Sequence, residues 1–149
     1  MNEVADELQS RLAIAKELKR LPESLVATRP RPGKWSAKEI LGHLIDSAAN
    51  NHQRFVRLQM QLRLELVGYD GDKWVAVQQH QDQSWTNLVA LWESYNRHLM
   101  HVIRHIDPAK LGNTWLAPDG QVLSLEFVVH DYVRHLKHHL DQIVCQTGA

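Results

Sequence analysis

The sequence predicts an all-α protein, a four-helix bundle that forms a single domain over residues 1–149. Two observations predict this fold class. Apolar residues recur three and four positions apart through four long segments, which is the periodicity of amphipathic helices. No segment has the alternating pattern of a large sheet, and 149 residues allow one sizeable core but are too few for two comfortable ones. Four such helices are expected to pack their apolar faces together.

The first helix is predicted to run from about residue 3 to residue 21. Its apolar face consists of Val4, Leu8, Leu12, Ala15 and Leu18. The helix should end before Pro22, because proline lacks the backbone N–H that a helix interior requires. Residues 22–34 contain three prolines and one glycine, and they are predicted to be a connector.

The second helix has the clearest start signal in the chain. Ser36 is a candidate N-cap, and Glu39 stands at the position of its partner in a capping box. Trp35 and Ile40 occupy the two positions of a hydrophobic staple. The helix is predicted to continue to about Leu66, where a stretch that contains glycines ends it.

The other two helices are bounded by similar signals. The third is predicted to run from Ser84, a candidate N-cap, to about Ile106, which precedes an Asp-Pro pair. The fourth starts near Ser124 and runs to about Gln146. Residues 68–83, between the second and third helices, are predicted to be a connector or a short helical turn.

Composition and charge argue against several classes of partner. Basic and acidic residues are balanced at 17 each, so the basic stripe of a nucleic-acid-binding protein is not expected. No apolar run approaches the roughly 20 residues that span a bilayer, and the acidic N-terminal stretch does not resemble a signal peptide. The single cysteine, Cys145, cannot form an intrachain disulfide and favours a cytoplasmic location.

Ten histidines are an unusual number and suggest metal or proton chemistry. A rotation of about 100° per residue places His135 and His139 on the flank of the apolar face of the fourth helix. The same rotation turns His138 towards solvent. Two imidazoles four positions apart can bind one metal ion, as in helical zinc motifs. The alternative is that both are polar side chains packed at the edge of the core.

A polar strip follows one edge of the apolar face of the second helix. It consists of His43, Ser47, Asn50 and Arg54, at the helical spacing of 4, 3 and 4. The strip predicts a cleft between helices, in which His43 faces the histidine pair of the fourth helix. Ser47 and Asn50 could orient a ligand there. Arg54 could hold a carboxylate of a thiol cofactor or form a salt bridge to a neighbouring acid.

The remaining histidines are interpreted as boundary or surface residues. The third helix carries His98, His101 and His105. Three more, His52, His80 and His130, are predicted to be solvated. Trp74 lies in a predicted loop and could line the mouth of a pocket. Cys145 lies near the fraying end of the last helix and is a poor candidate for a nucleophile.

Two motifs together are specific. One is a Trp-Ser helix start followed by a His-Leu-x-Asp step, and the other is a His-x-x-His-His pattern on the last helix. The segments 31–57, 69–74 and 123–143 resemble the DinB-like superfamily, which includes YfiT-like proteins and the metal-dependent bacillithiol and mycothiol S-transferases. The resemblance covers roughly residues 22–145.

This resemblance implies a four-helix bundle of the DinB/YfiT-like type that binds one divalent metal ion through three histidines. Carried over residue by residue, the three ligands fall on His43, His135 and His139. Relatives often form homodimers. The long helices and five tryptophans of this chain also leave apolar surface to cover, so a homodimer is expected.

Three neutral imidazoles would leave a bound zinc or nickel ion with an open position. The resulting expectation is an S-transferase whose metal activates a low-molecular-weight thiol, or water, for a small-molecule substrate. Arg54 and Asn50 are the candidate catalytic residues. Two alternatives stay open: a non-catalytic metal-binding module for stress response or interaction, and a metal-dependent hydrolase.

Overall fold

Short helices and strands connect four long helical segments in the computed structural model, which describes residues 1–149. The helices are α1 (Asn2–Leu12), α2 (Ala15–Leu18), α3 (Glu23–Val26), α4 (Ala37–Met60), α5 (Gly71–Gln78), α6 (Trp85–Arg104) and α7 (Leu125–Thr147). The strands are β1 (Arg63–Glu65), β2 (Thr114–Leu116) and β3 (Val122–Ser124). None of the helices is both long and apolar enough to cross a membrane. The predicted all-α bundle is confirmed.

The four segments of the bundle are α1 with α2, then α4, α6 and α7. Helix α4 packs against α6 and α7, and α1 packs against the same two helices. The largest fully buried side chains are Phe55, Trp85, Trp92 and Tyr132. Burial of each large apolar side chain stabilises the fold by about 1.5–3 kcal/mol. The Nε1 atom of Trp85 donates to the carbonyl of Leu18, so its polar group is satisfied inside the core.

The start of α4 is fixed by the capping box that the sequence predicts. The backbone N–H of Glu39 donates to Ser36 Oγ at 3.2 Å, and the backbone N–H of Ser36 donates to Glu39 Oε2 at 2.9 Å. Arg29 donates to the same carboxylate at 2.9 Å. Because the N-terminus of α4 is held in this way, the position of His43 two turns further along is well defined.

Two predicted boundaries differ from the structure. Helix α4 ends at Met60 instead of near Leu66, because residues 63–65 form β1. Strand β1 pairs in parallel with β2, which pairs in antiparallel with β3. Strands of three residues are too short for an alternating pattern to reveal them. The first predicted helix is divided into α1 and α2 by a turn at residues 13–14.

The predicted connector 68–83 forms ordered structure against α4. It contains α5 and a 3₁₀ turn, and the side chain of Asp70 accepts from the N–H of Lys73 at the start of α5. Gly42 on α4 faces this segment, since a Cβ at position 42 would lie 2.2 Å from Cδ2 of His80. The lack of a side chain at Gly42 therefore permits the close approach of the 3₁₀ turn to α4.

Candidate metal site

Three histidines from two helices bring their Nε2 atoms together where α4 contacts α7. Nε2 of His135 lies 3.2 Å from Nε2 of His43 and 3.1 Å from Nε2 of His139. One ring nitrogen of each residue lies within 4.8 Å of those of the others. His43 is 7% exposed, and the other two are half-buried. The structure thus brings together the three side chains that helical rotation selects.

All three imidazoles are neutral at neutral pH. Burial, followed by the charge of the nearby His139, lowers the pKa of His43 from 6.5 to about 4. Burial and the neighbouring histidines lower the pKa of His135 to about 4 as well. Burial lowers the pKa of His139, although its hydrogen bond to Gln142 raises the pKa and offsets part of this effect. Each ring therefore keeps a nitrogen lone pair that can bind a cation.

The donor set fits a divalent transition metal. Nδ1 of His139 donates to Gln142 Oε1 at 2.9 Å, which leaves Nε2 of His139 as the lone-pair nitrogen. In a tetrahedral zinc site with Zn–N bonds of about 2.0–2.1 Å, neighbouring nitrogens are about 3.3 Å apart. The Nε2 separations of 3.1 and 3.2 Å are close to that value. Imidazole nitrogens suit zinc and nickel among the first-row ions.

Aromatic rings line the histidine cluster. The ring centroid of Trp35 lies 4.9 Å from that of His43 and 6.4 Å from that of His139. The centroid of Tyr69 lies 6.3 Å from that of His43 and 5.0 Å from that of Trp74. Trp74 lies in α5 instead of the predicted loop and is 40% exposed. Trp35 and Tyr69 contribute to the burial of His43, which is the main cause of its lowered pKa.

A buried Asp46–His80 pair lies beside the cluster, and sequence reasoning missed it. Nε2 of His80 lies 3.3 Å from Asp46 Oδ2, and Gln78 Nε2 donates to Asp46 Oδ1 at 2.7 Å. The expectation that His80 is solvated is wrong, because its residue exposure is only 3%. Since Asp46 is one helical turn beyond His43, the pair attaches the segment after α5 to the α4 turn that carries a candidate ligand. The available signal was Asp46 itself, an acid near an apolar face.

The polar strip of α4 passes through Asn51 instead of Asn50. Asn51 is 8% exposed and donates to the carbonyl of Ser47 at 3.0 Å, and Arg54 Nη1 donates to Asn51 Oδ1 at 3.0 Å. Asn50 is half-buried, and its amide donates to the backbone carbonyl of Asp46 at 2.9 Å. Ser47 Oγ lies 3.5 Å from Nδ1 of His135, so the strip connects with the cluster through Ser47.

Two cavities adjoin the cluster, and each is lined by a different histidine. The larger has a volume of about 810 Å³, and its lining includes Arg31, Lys34, Trp35, His139, Gln142 and Cys145. The smaller has a volume of about 140 Å³, and its lining includes Ser47, Arg54, Tyr69, Trp115, Asp131 and His135. The cluster therefore borders two separate cavities.

The other histidines lie outside the cluster. His98 and His101 on α6 are exposed, as are His105 directly after α6 and His130 and His138 on α7. His52 is half-buried, and its Nδ1 lies 3.2 Å from the hydroxyl of Tyr95. The five exposed residues agree with their interpretation as boundary or surface residues, whereas the prediction that His52 is solvated is wrong because its side chain packs beside Tyr95.

The amino-acid sequence is similar to bacterial proteins that are named as metal-dependent hydrolases. A protein of Bacillus mycoides (strain KBAB4), named "Putative metal-dependent hydrolase", is 24% identical over 130 residues, which are 87% of this chain and 75% of that protein. A protein of Bacillus cereus (strain AH820) with the same name has the same identity and coverage.

The fold is similar to that of solved structures. YfiT from Bacillus subtilis, described as "a probable metal-dependent hydrolase with an unusual four-helix bundle topology", superposes with a TM-score of 0.83 and 23% identity, over 97% of this chain and 82% of YfiT. A mycothiol-dependent maleylpyruvate isomerase superposes with a TM-score of 0.73 and 12% identity, over 93% of this chain and 59% of the isomerase. These similarities show a shared fold.

The sequence profile of the DinB superfamily matches residues 6–143, which include most of each bundle segment and the three clustered histidines. The relatives in sequence are named as metal-dependent proteins, and the cluster has the donor chemistry that such a site requires. The chain therefore belongs to the DinB superfamily, a metal-dependent family of four-helix-bundle proteins.

Proposed function

We propose that the protein is a metal-dependent enzyme that transfers a low-molecular-weight thiol to an electrophilic small molecule. His43, His135 and His139 would hold one divalent ion, zinc or nickel. The observation that carries this proposal is the group of three neutral Nε2 atoms, which adjoins two separate cavities. A transfer reaction needs room for two substrates at one centre, and this arrangement supplies it.

The bound ion would supply a positive charge that makes a thiol or water more acidic near neutral pH. The protein's own residues hold and orient its ligands. Gln142 fixes the tautomer of His139 through Nδ1, and Ser47 lies beside Nδ1 of His135. Trp35 and Tyr69 exclude water from the cluster.

The larger cavity favours a thiol of peptide-like size. Its volume of about 810 Å³ lies within the range of about 300–1,000 Å³ that small-molecule sites commonly have. Arg31 and Lys34 line it and could pair with the carboxylates that such thiols carry. The thiol-dependent isomerase that shares the fold also supports thiol chemistry.

The proposed reaction is a nucleophilic substitution that forms one bond and breaks one. The sulfur of the thiol forms a bond to carbon, and the bond from that carbon to its leaving group breaks. The leaving group departs with the electron pair, and the thiol proton passes to solvent. In an epoxide the broken bond is a ring C–O bond, and the resulting alkoxide takes up a proton.

The test is an adduct assay with zinc-loaded and nickel-loaded protein. Bacillithiol, mycothiol, glutathione and cysteine would each be combined with a halide or an epoxide. We expect adduct formation that depends on added metal and falls by about tenfold or more in His139→Ala. His138→Ala is the matched control, because this exposed neighbour lies outside the cluster. Turnover that survives both chelation and His139→Ala would contradict the proposal.

Metal-dependent hydrolysis is the second candidate, and the names of the relatives favour it. Hydrolysis of an ester or amide panel without any thiol, together with no product in the adduct assay, would favour this candidate. If protein with a full equivalent of bound metal gave neither hydrolysis nor adduct formation, a non-catalytic metal-binding module would be favoured. Cytoplasmic location, self-association as a homodimer and a small-molecule partner stay predictions.

A further inference from the structure

Arg54 is a buried cation without a carboxylate partner. Its residue exposure is 8%, and no acidic oxygen lies within ion-pair distance of its guanidinium group. The only hydrogen bond of the group runs from Nη1 to Asn51 Oδ1, and Nε is enclosed without any partner. The salt bridge that the sequence left open as an alternative is absent. A buried charge without a counter-ion is costly, so its retention calls for an explanation.

Packing against Trp115 partly compensates for the burial of the Arg54 charge. The guanidinium carbon of Arg54 lies 4.0 Å from the ring centroid of Trp115, a favourable cation–π contact. Burial lowers the pKa of Arg54, in the direction expected when a cation is removed from water without a close counter-ion. The Trp115 ring lies against the guanidinium group. Nη2 makes no hydrogen bond and, unlike Nε, is not enclosed, so it is the donor that a ligand in the cavity could reach.

The cavity that Arg54 lines also reaches the histidine cluster. Arg54, Ser47 and His135 all contribute to the cavity of about 140 Å³. Asp131 lines it too, but the carboxylate of Asp131 is paired with Arg134 on the same helix. Arg54 is the only lysine or arginine in the lining, so the cavity offers one unpaired positive charge.

We propose that this cavity binds the carboxylate of the smaller, electrophilic substrate, and that Arg54 determines the specificity for it. The inference rests on the proposed function, because it assigns a substrate class to that same site. The planar guanidinium fork matches the geometry of a carboxylate. Arg54 supplies one positive charge, and the nearby carboxylate of Asp131 would repel additional negative charge. The cavity therefore suits a monoanion better than a phosphate dianion.

The size of the cavity restricts the substrate further. A volume of about 140 Å³ is below the range of common ligand pockets, so only a short carbon chain fits with its carboxylate. Trp115, Tyr132 and Phe127 supply apolar surface for that chain. The thiol would occupy the larger cavity beside His139, and the short carboxylate would approach from the side of His135.

The first experiment measures binding to the metal-free protein, so that turnover is not needed. Butanoate, butanamide and inorganic phosphate are the probes, and ligand-observed NMR gives their Kd values. We expect butanoate to bind at least about tenfold more tightly than butanamide or phosphate, and to lose this advantage in Arg54→Met. Arg57→Met is the matched control, since Arg57 is exposed on the same helix and bonds only to Gln53.

Three results of this experiment would overturn the inference. The first is that butanoate does not bind. The second is that butanoate binds equally well to the wild type and to a folded Arg54→Met variant. The third is that phosphate binds more tightly than butanoate. Circular dichroism would check the fold of each variant. If Arg54→Met does not fold, Arg54→Lys keeps the charge and the alkyl stem. It should still weaken butanoate binding, because an ammonium lacks the planar fork.

The second experiment separates this inference from the proposed function. Chloroacetate and chloroacetamide have the same reacting carbon and leaving group and differ only in the carboxylate. With the most active thiol of the adduct panel, the kcat/KM ratio of chloroacetate to chloroacetamide should fall about tenfold in Arg54→Met and stay constant in Arg57→Met. An unchanged ratio in Arg54→Met would overturn the carboxylate site while the transferase stands. Butanoate binding without any turnover would contradict the transferase while the site stands.

Discussion

Nε2 of His43 lies 3.2 Å from Nε2 of His135, although the two residues are 92 positions apart in the sequence. The contact exists because α4 packs directly against α7. With Nε2 of His139 next to them, these neutral imidazoles form a group of three nitrogen donors that could hold one metal ion.

The first prediction concerns metal stoichiometry. Purified protein loaded with zinc or nickel should hold one ion per chain, and His139→Ala should weaken its binding by about tenfold or more, because one of three ligands is lost. Elemental analysis and titration calorimetry would measure stoichiometry and affinity. The exposed His138→Ala variant should bind as the wild type does. Retention of a full equivalent with unchanged affinity in His139→Ala would refute the site.

The second prediction concerns pH and the stability of the metal-free protein. The folded-state pKa values of His43 and His135 are about 4, below the ordinary 6.5, so the unfolded chain takes up protons first as the pH falls. The free energy of unfolding should therefore be highest above the ordinary pKa and should decline as the pH falls towards 4. The expected loss is a few kcal/mol, because lowering a pKa from 6.5 to about 4 is worth up to about 3 kcal/mol for each histidine.

Urea denaturation after chelation, at a series of pH values from neutral to acidic, would measure this decline. His43→Gln removes one of the titrating groups and should give a shallower dependence on pH. A profile for the wild type that is flat across this range would show that the imidazoles are not protected from protonation in the folded state.

The third prediction concerns the contact between Gly42 and the 3₁₀ turn after α5. A Cβ at position 42 would overlap the ring of His80, so Gly42→Ala should displace that ring and destabilise the fold by about 1–3 kcal/mol. Thermal or urea unfolding would measure the loss. Gly112→Ala is the control, because a Cβ at Gly112 meets nothing within 4 Å. Equal stability of the two variants would show that the turn adjusts without cost.

The fourth prediction concerns the Asp46–His80 pair. Asp46→Asn removes the charge and one of the acceptors that bind His80 and Gln78, and should reduce the free energy of unfolding by about 1–3 kcal/mol because both side chains of the pair are buried. Asp141→Asn, which breaks an exposed ion pair with Lys137, should cost about 0–1 kcal/mol. A smaller loss in Asp46→Asn than in Asp141→Asn would exclude a stabilising role for the buried pair.

Local sequence signals predicted the helices and the faces of the candidate ligands. The capping box at Ser36 and Glu39 located the start of α4 because a cap involves only neighbouring residues. The rotation per residue along a helix is constant, so it separated His139 from the exposed His138 without knowledge of any partner helix. The same reasoning placed His43 on the edge of α4 that meets α7.

Rotation alone could not decide between Asn50 and Asn51. The two lie three and four positions after Ser47, so both fall near the same edge of α4. The contacts made by neighbouring elements select Asn51, which bonds to Ser47 and Arg54. His80 was misplaced for a related reason, since a residue in a connector has no helical period from which to judge its burial.

The sequence by itself determined the bundle, its helix starts and the inward faces of His43, His135 and His139, because these follow from interactions within a few residues along the chain. Only the tertiary structure decided that Asp46 and His80 form a buried pair and that Arg54 has no acidic partner. Those facts depend on which residues the other helices and the connector bring into contact. Helical periodicity carries no information about such distances across the fold.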